Sequence, residues 1–248
     1  MPNFKILAIN PGSTSTKIAV YEGEEQVFIT TIRHQTAELE QYKRVADQFP
    51  FRKELILGEL KKAGIATNDF NAIIGRGGLL RPLESGVYEV NDAMLADLRA
   101  AARGQHASNL GALIAQSIAA SIPGAKAYIA DPVVVDEMAA VARVTGLPEM
   151  HRISMFHALN HKAIGRAHAK KLGKKYEDLN LIIAHLGGGI SVGAHQKGRV
   201  VDVNDALAGD GPFSPERAGE LPTGQLVDLC FSGKYTREEV RSKLAGKG

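Results

Sequence analysis

The spacing of apolar and polar positions changes several times along this chain, and each change marks an element. Residues 4–10, 16–22 and 26–32 are short runs rich in aliphatic and β-branched side chains with turn formers between them. They predict three successive strands, a meander. Polar sequence follows to Pro50. From 51 to 64, Phe51, Leu55, Ile56, Leu60 and Ala63 recur at helical spacing, and Gly64 ends the run. Residues 71–75 predict a short buried strand, and 91–102 and 109–121 predict helices. The first of these helices is capped by Asn91, with Asp92 in its opening turn. A strand over 125–130 ends at Asp131-Pro132, because proline does not continue a ladder. After Pro148, residues 154–172 predict a long helix with His157 and His161 four apart on one face. A second meander over 180–186, 190–195 and 199–204 follows, then short helices over 223–231 and 236–244, and the chain closes at Gly246-Lys247-Gly248.

Meander strands followed by helix, strand, helix and strand describe an α/β fold, a mixed sheet covered by helices. The second meander echoes the first. With Gly12 set against Gly187, Asn10 faces His185, and both turns join an apolar strand to a β-branched one. Such a duplication predicts two related lobes facing each other across a cleft, with one glycine turn at each end of a polyphosphate. The lobes are expected over residues 1–153 and 154–248.

Composition narrows the classes. A length of 248 residues fits one large domain or two small ones, and 44% hydrophobic residues are ample for a packed core. A net charge of +3, with the basic residues scattered, argues against nucleic acid or an anionic membrane as partner. Cys230 is the only cysteine, which excludes a disulfide framework and a thiolate metal site. With no signal pattern and no apolar run of spanning length, a soluble cytoplasmic protein is expected.

Candidate chemistry gathers in the turns. The stretch Leu7–Tyr21 (LAINPGSTSTKIAVY) is a hairpin whose turn carries hydroxyls, an amide and a lysine, donors suited to phosphate oxygens or metal-bound water. It is not a Walker loop, since GxxxxGK[ST] is absent and a strand rather than a helix follows. Taken alone it reads equally as an ordinary polar turn. Arg76, after the buried strand, suits a carboxylate or phosphate or else pairs with a surface acid, and Gly77-Gly78 beside it let a ligand approach the backbone. His106 stands just ahead of the second helix. Asp131 sits at the carboxyl end of a parallel strand, where open α/β sheets place their chemistry. Ala158 stands where a zinc-protease helix needs glutamate, so the His157/His161 pair is not read as a zinc site. Gly187-Gly188-Gly189 is a turn whose backbone N–H groups are able to cradle phosphate. Residues 201–222 are acid-rich and Gly/Pro-rich, long for a loop, and carry Arg217, which either clamps a transferring phosphoryl group or pairs with Glu216 or Glu220.

Seven stretches occur in combination: INPGSTSTK (9–17), GRGGLL (75–80), GQHASNLGA (104–112), DPVVVDE (131–137), FHALNH (156–161), HLGGGISV (185–192) and DGPFSPERAG (210–219). On these the chain resembles the acetate/butyrate kinase family of carboxylate kinases, from residue 4 to its end. The resemblance implies the sugar-kinase/heat-shock/actin superfamily, with two ribonuclease-H-like lobes that bind ATP between them. It implies transfer of the ATP γ-phosphoryl group to butyrate or a similar short-chain carboxylic acid, with Mg²⁺. By motif position, Asn10, Ser13, Ser15 and Lys17 lie in the first phosphate loop, with Asn10 helping to organise Mg²⁺. Arg76 holds the carboxylate or the phosphoryl group, and His106 is a substrate-site neighbour. Asp131 organises the metal and the nucleophile. His157 and Arg217 stabilise the phosphoryl group in transit, and His185 with Gly187, Gly188 and Gly189 form the second phosphate loop.

Two departures from the family pattern stand out. Acetate kinases have Asn at the position of Gly188, which favours the butyrate branch. The family also continues well past residue 248, so the chain is expected to be truncated within an incomplete second lobe, without the adenosine-binding segment. A homo-oligomer is expected, and either an oligomer or a companion fragment would cover the apolar surface this leaves. The alternatives are an ATP-binding regulator or activator ATPase on the same fold, or a fragment without catalytic activity. Neither of the stretches around FHALNH and SPERAG is required by a bare nucleotide switch.

Overall fold

The computed structural model describes residues 4–246 and divides into two compact units. The first comprises residues 1–81 and 86–132, and the second residues 82–85 and 133–248.

The first unit opens with β1 (Lys5–Pro11), β2 (Ser15–Glu22) and β3 (Glu25–Arg33), the expected antiparallel meander. α1 (Thr36–Glu40) and α2 (Phe49–Lys62) follow, then β4 (Ala72–Arg76), β5 (Val87–Glu89), α3 (Asp92–Ala100), α4 (Asn109–Ala119) and β6 (Lys126–Ala130). The six strands form one mixed sheet in the order β3-β2-β1-β4-β6-β5. β1, β4 and β6 run parallel side by side, so their carboxyl ends lie at one edge. Leu7, Ile9, Ile73 and Ile129 from these strands are buried with Leu110, Ile114 and Ile118 of α4, a helix with nine buried residues.

Two short elements were not legible in the sequence. α1 buries none of its residues, and β5 is a three-residue edge strand pairing antiparallel with β6. α2 starts ahead of its expected position because Pro50 sits in its first turn, where a missing N–H costs nothing. The Asn91 cap is present, its side chain accepting from the Met94 N–H at 3.0 Å.

The second unit holds α5 (Ala158–Lys171), the meander β7 (Asn180–His185), β8 (Ser191–Gln196) and β9 (Arg199–Val203), then α6 (Thr223–Phe231) and α7 (Arg237–Leu244). β7-β8-β9 is a three-stranded antiparallel sheet. In each meander the second strand pair carries a register irregularity, at Val20/Tyr21 in β2 and at Ala194/His195 in β8.

The chain passes between units at Pro132/Val133, whereas the sequence placed the boundary at 153/154. The reason is a buried cluster: Val135 and Met138 pack with Phe156, Ala158, Val200 and Val203, so residues 133–138 belong with the second sheet. The same contacts shorten α5. Ser154 Oγ donates to the Val135 carbonyl at 2.7 Å and the Phe156 N–H to Val133 at 3.1 Å, holding 154–156 outside the helix rather than in its expected first turn. Among the described residues, no helix is long and apolar enough to cross a membrane.

Candidate active site

In the first unit the site residues stand at the carboxyl edge of the parallel strands. Asn10 and Lys17 are register partners across the β1–β2 hairpin, Ser13 lies in its turn and Ser15 opens β2, and the turn closes with the Gly12 N–H donating to Ser15 O at 2.7 Å. Asn10, Ser13 and Lys17 are exposed and Ser15 is partly so.

The turn is held from beneath by Arg52 of α2, which the sequence reading did not single out. Its guanidinium is 1% exposed and donates to the carbonyls of Gly12 (2.7 Å), Ser13 (3.2 Å) and Ser15 (3.2 Å), to Thr16 Oγ1 (3.1 Å) and to Gln48 Oε1. Every one of these acceptors is neutral. Burial lowers the Arg52 pKa to about 10, so it keeps its charge at neutral pH.

Arg76 ends β4 and donates to Asn10 Oδ1 at 3.4 Å, bringing two of the expected residues together. Desolvation by burial lowers its pKa from the usual guanidinium value. Its position depends on close backbone contact between β4 and α4. A Cβ on Gly75 would lie 2.2 Å from the Gly111 carbonyl oxygen, and one on Gly111 would lie 2.2 Å from that of Arg76. The neighbouring Gly77 and Gly78 do not serve as expected. A Cβ there would strike Pro132 at 2.4 Å and Asn109 at 2.5 Å, so these glycines admit protein rather than a ligand.

Asp131 follows β6 directly, 4% exposed and at φ +36°, a left-handed backbone that non-glycine residues adopt sparingly. Its Oδ1 accepts from the Gly86 N–H at 2.9 Å. His106 lies just before α4, and its Nδ1 accepts from the Ser108 N–H at 3.2 Å and contacts Ser108 Oγ at 2.7 Å.

In the second unit His157 is the residue that caps α5, outside the helix, yet its ring still meets that of His161 at a shared partner. His157 Nδ1 and His161 Nε2 each lie 2.9 Å from Ser191 Oγ. His157 stacks on His185 with centroids 3.7 Å apart, and His185 Nδ1 is 3.0 Å from Asn160 Oδ1. Gly187, Gly188 and Gly189 form the bend between β7 and β8. Gly188 O accepts from Ser214 Oγ (2.6 Å) and the Glu216 N–H (3.1 Å), so the 210–219 segment folds onto this loop and carries Arg217 with it. Arg217 donates to the carbonyls of Glu216 (2.9 Å) and Ala206 (3.3 Å) and lies 3.5 Å from the Glu216 carboxylate. The long segment is pinned by Asn204, which accepts from the Val192 N–H and donates to Ile190 O and Asp210 O. Asp205 caps the turn beyond it, its pKa raised by burial.

Sequence reasoning set His161 on one face with His157 but missed the side chains beyond it. His161 Nδ1 is 3.1 Å from His195 Nε2, and His195 Nδ1 meets the Tyr176 hydroxyl. Lys162, buried beside them, pairs with Glu137 at 2.6 Å and donates to Gly198 O. The β8 alternation placed Ser191 and His195 on one face, which was the available signal. Their partners on α5 and at Tyr176 are known only once helix and sheet are packed.

The acetokinase family matches residues 146–240. Butyrate kinase 2 of Clostridium acetobutylicum is 57% identical over 245 residues, covering 99% of this chain and 68% of that protein. A probable butyrate kinase of Clostridium botulinum is 55% identical, with 99% and 69% covered. Among solved structures, acetate kinase of Porphyromonas gingivalis superposes with a TM-score of 0.75 at 18% identity, covering 99% of this chain and 68% of that one. A propionate kinase of Francisella tularensis gives 0.67 at 19% identity, with the same shares covered. The solved structures agree in fold, and the matches to curated relatives, at 55–57% identity, span 99% of this chain. This chain therefore belongs to the acetate/butyrate kinase family.

Proposed function

We propose that the chain transfers the γ-phosphoryl group of ATP to butyrate or a similar short-chain acid, giving acyl phosphate and ADP, reversibly and with Mg²⁺. One observation carries most of this reading. Asn10, Arg76 and Asp131 stand at the carboxyl ends of three adjacent parallel strands, beside a hydroxyl-rich turn. Phosphoryl transfer needs chiefly positioning and stabilisation of spread negative charge, which amide, guanidinium and carboxylate groups at fixed strand ends supply. A carboxylate acceptor is already ionised at neutral pH, so Asp131 has no proton to abstract and acts by holding the metal and the nucleophile in place.

The roles follow from the chemistry of each group. Ser13, Ser15 and Lys17 bind phosphate oxygens in the first loop, and the backbone of Gly187–Gly189, with His185, does so in the second. Arg76 binds the carboxylate or the phosphoryl group, with His106 as its neighbour in the substrate site. His157 and Arg217 donate to the phosphoryl group in transit. Among the described residues no cluster of three or more His, Cys, Asp or Glu could cage a metal ion. One carboxylate, Asp131, and one amide oxygen, Asn10, nevertheless suit Mg²⁺, which is held mostly by water and substrate phosphates. When bound, Mg²⁺ neutralises phosphate charge. A cytoplasmic homo-oligomer is the form in which we expect the enzyme to work.

The test is ATP- and Mg²⁺-dependent acyl hydroxamate formation with acetate, propionate, butyrate, isobutyrate or no acid, following ADP release alongside. Hydroxamate greatest with the four-carbon acids is the expected result. ADP release without hydroxamate would replace this reading with that of an ATPase.

A further inference from the structure

The side chains behind His157 form an unbroken line from β8 into the interior of the second unit. His157 Nδ1 meets Ser191 Oγ at 2.9 Å, which meets His161 Nε2 at 2.9 Å. His161 Nδ1 meets His195 Nε2 at 3.1 Å, and His195 Nδ1 meets the Tyr176 hydroxyl. Ser191, His161 and His195 are each at most 2% exposed and Tyr176 is 3% exposed, so no solvent interrupts the line.

Proton accounting gives the line a direction. Burial, with His195 beside it, lowers the His161 pKa to about 4, and burial, with Lys162 nearby, lowers that of His195 to about 4. Both rings are therefore neutral at physiological pH, each with one donor nitrogen and one acceptor. The direction is set at the Tyr176 end. A phenol O–H is a much stronger acid than a neutral imidazole N–H, and an imidazole nitrogen is the better acceptor, which favours the phenol as donor in this pair. Tyr176 O–H thus donates to His195 Nδ1, and the single His195 proton sits on Nε2 and goes to His161 Nδ1. The His161 proton sits on Nε2 and goes to Ser191 Oγ, which also receives the His157 backbone N–H at 3.4 Å. The Ser191 hydroxyl proton is left for His157 Nδ1.

We propose that Tyr176, His195, His161 and Ser191 form a one-way hydrogen-bond relay that fixes His157 as the neutral tautomer with its proton on Nε2. Protonating Nδ1, whether in the other tautomer or in the imidazolium, requires Ser191 to turn round and all four bonds to reverse. The Tyr176 hydroxyl would then accept from His195 Nδ1–H and would have to give its own proton elsewhere. The relay is a positioning device and does not itself touch a substrate. Its use rests on the reading above of His157 as a donor to the phosphoryl group: a ring locked as Nε2–H offers a donor in every cycle without a proton to lose. The Cε1 side of that edge faces the glycine loop, where a Cβ on Gly189 would lie 3.8 Å from Cε1, and stacking on His185 fixes the plane of the ring.

The tautomer is measurable without turnover. Long-range ¹H–¹⁵N imidazole spectra of the labelled chain at neutral pH report which nitrogen carries the proton, with His157 assigned by the signal lost in His157→Gln. The expected spectrum shows His157 solely as Nε2–H. Ser191→Ala is expected to turn that pattern into a mixture of both tautomers. Tyr176→Phe, which removes one oxygen while its ring still packs on Gly165, is expected to shift the His195, His161 and His157 signals together. His157 found as Nδ1–H or as imidazolium in the unaltered chain overturns the proposal. So does a His157 pattern that Tyr176→Phe leaves unchanged. Loss of hydroxamate formation would instead count against the kinase reading and leaves this result standing.

Discussion

Arg52 shows how one buried charge shapes a loop. Its guanidinium holds three carbonyls of the β1–β2 turn, and every group it touches is neutral. Replacing it by Met takes the donor from those part-buried carbonyls and from the buried Thr16 Oγ1 and Gln48 Oε1, at about 1–3 kcal/mol for each buried acceptor left unsatisfied. We expect Arg52→Met to lose at least ~3 kcal/mol in urea unfolding, and Arg52→Lys, which keeps the charge but not the fork, to fall between. An unchanged midpoint in the Met variant would mean the turn holds its shape unaided. Arg217 is the second case. It pairs with Glu216, the duller of its two expected fates, while lying on the segment that folds over Gly188. As a transition-state donor its removal costs ~10²-fold or more, so Arg217→Ala should lower turnover by that factor. Near-normal turnover would take Arg217 out of the mechanism. Sequence spacing singled out Arg217 because it stands in a distinctive loop. Arg52 was invisible because its place inside an ordinary helical period gives no sign of what lies beneath.

At the scale of elements, the β4–α4 contact and the α5–β8 contact each make a prediction. Gly111→Ala brings a methyl against the Arg76 carbonyl, an overpacking that costs ~1–3 kcal/mol and displaces Arg76 at the strand end. The expected outcome is a lower melting temperature together with weaker substrate binding, and a variant that melts like the parent would refute the contact. Between α5 and β8, His161 and His195 titrate near 4 in the fold and near 6.5 when unfolded. Folded-state pKa values below the unfolded ones mean that acid favours unfolding. The stability is fully present above pH 6.5 and is lost as pH falls from 6.5 toward 4, at up to ~1.4 kcal/mol per pH unit for each ring. Urea midpoints from pH 7.5 to 4.5 measure this, and Tyr176→Phe with His195→Gln should flatten the slope. A flat profile in the parent chain would show that the rings are not buried neutral. The strands and long helices were legible because their periods are strong. The late start of the expected 154–172 helix, at Ala158, was not, because Ser154 and Phe156 bond to residues 133–135, a pairing no local pattern announces.

For the whole molecule, the second unit carries much of the exposed apolar surface. Ile182 and Leu186 are each 74% exposed and Phe231 is 87% exposed, while α6 buries none of its residues. Surface of this kind promotes association. We expect concentration-dependent self-association in sedimentation, reduced by Ile182→Lys combined with Phe231→Lys. Sedimentation unchanged by both substitutions would assign association to another face. The sequence by itself determined the two meanders, the mixed α/β class, the glycine turns and the polar residues that crown them, because period and turn chemistry are local properties of a chain. Only the tertiary structure decided where the chain passes from one unit to the other, that Gly77 and Gly78 admit protein, that Arg52 underlies the β1–β2 turn, and that His157 is backed by a line of buried side chains. Those depend on which residues distant in sequence come within a few ångströms, and that is fixed by packing rather than by any local pattern.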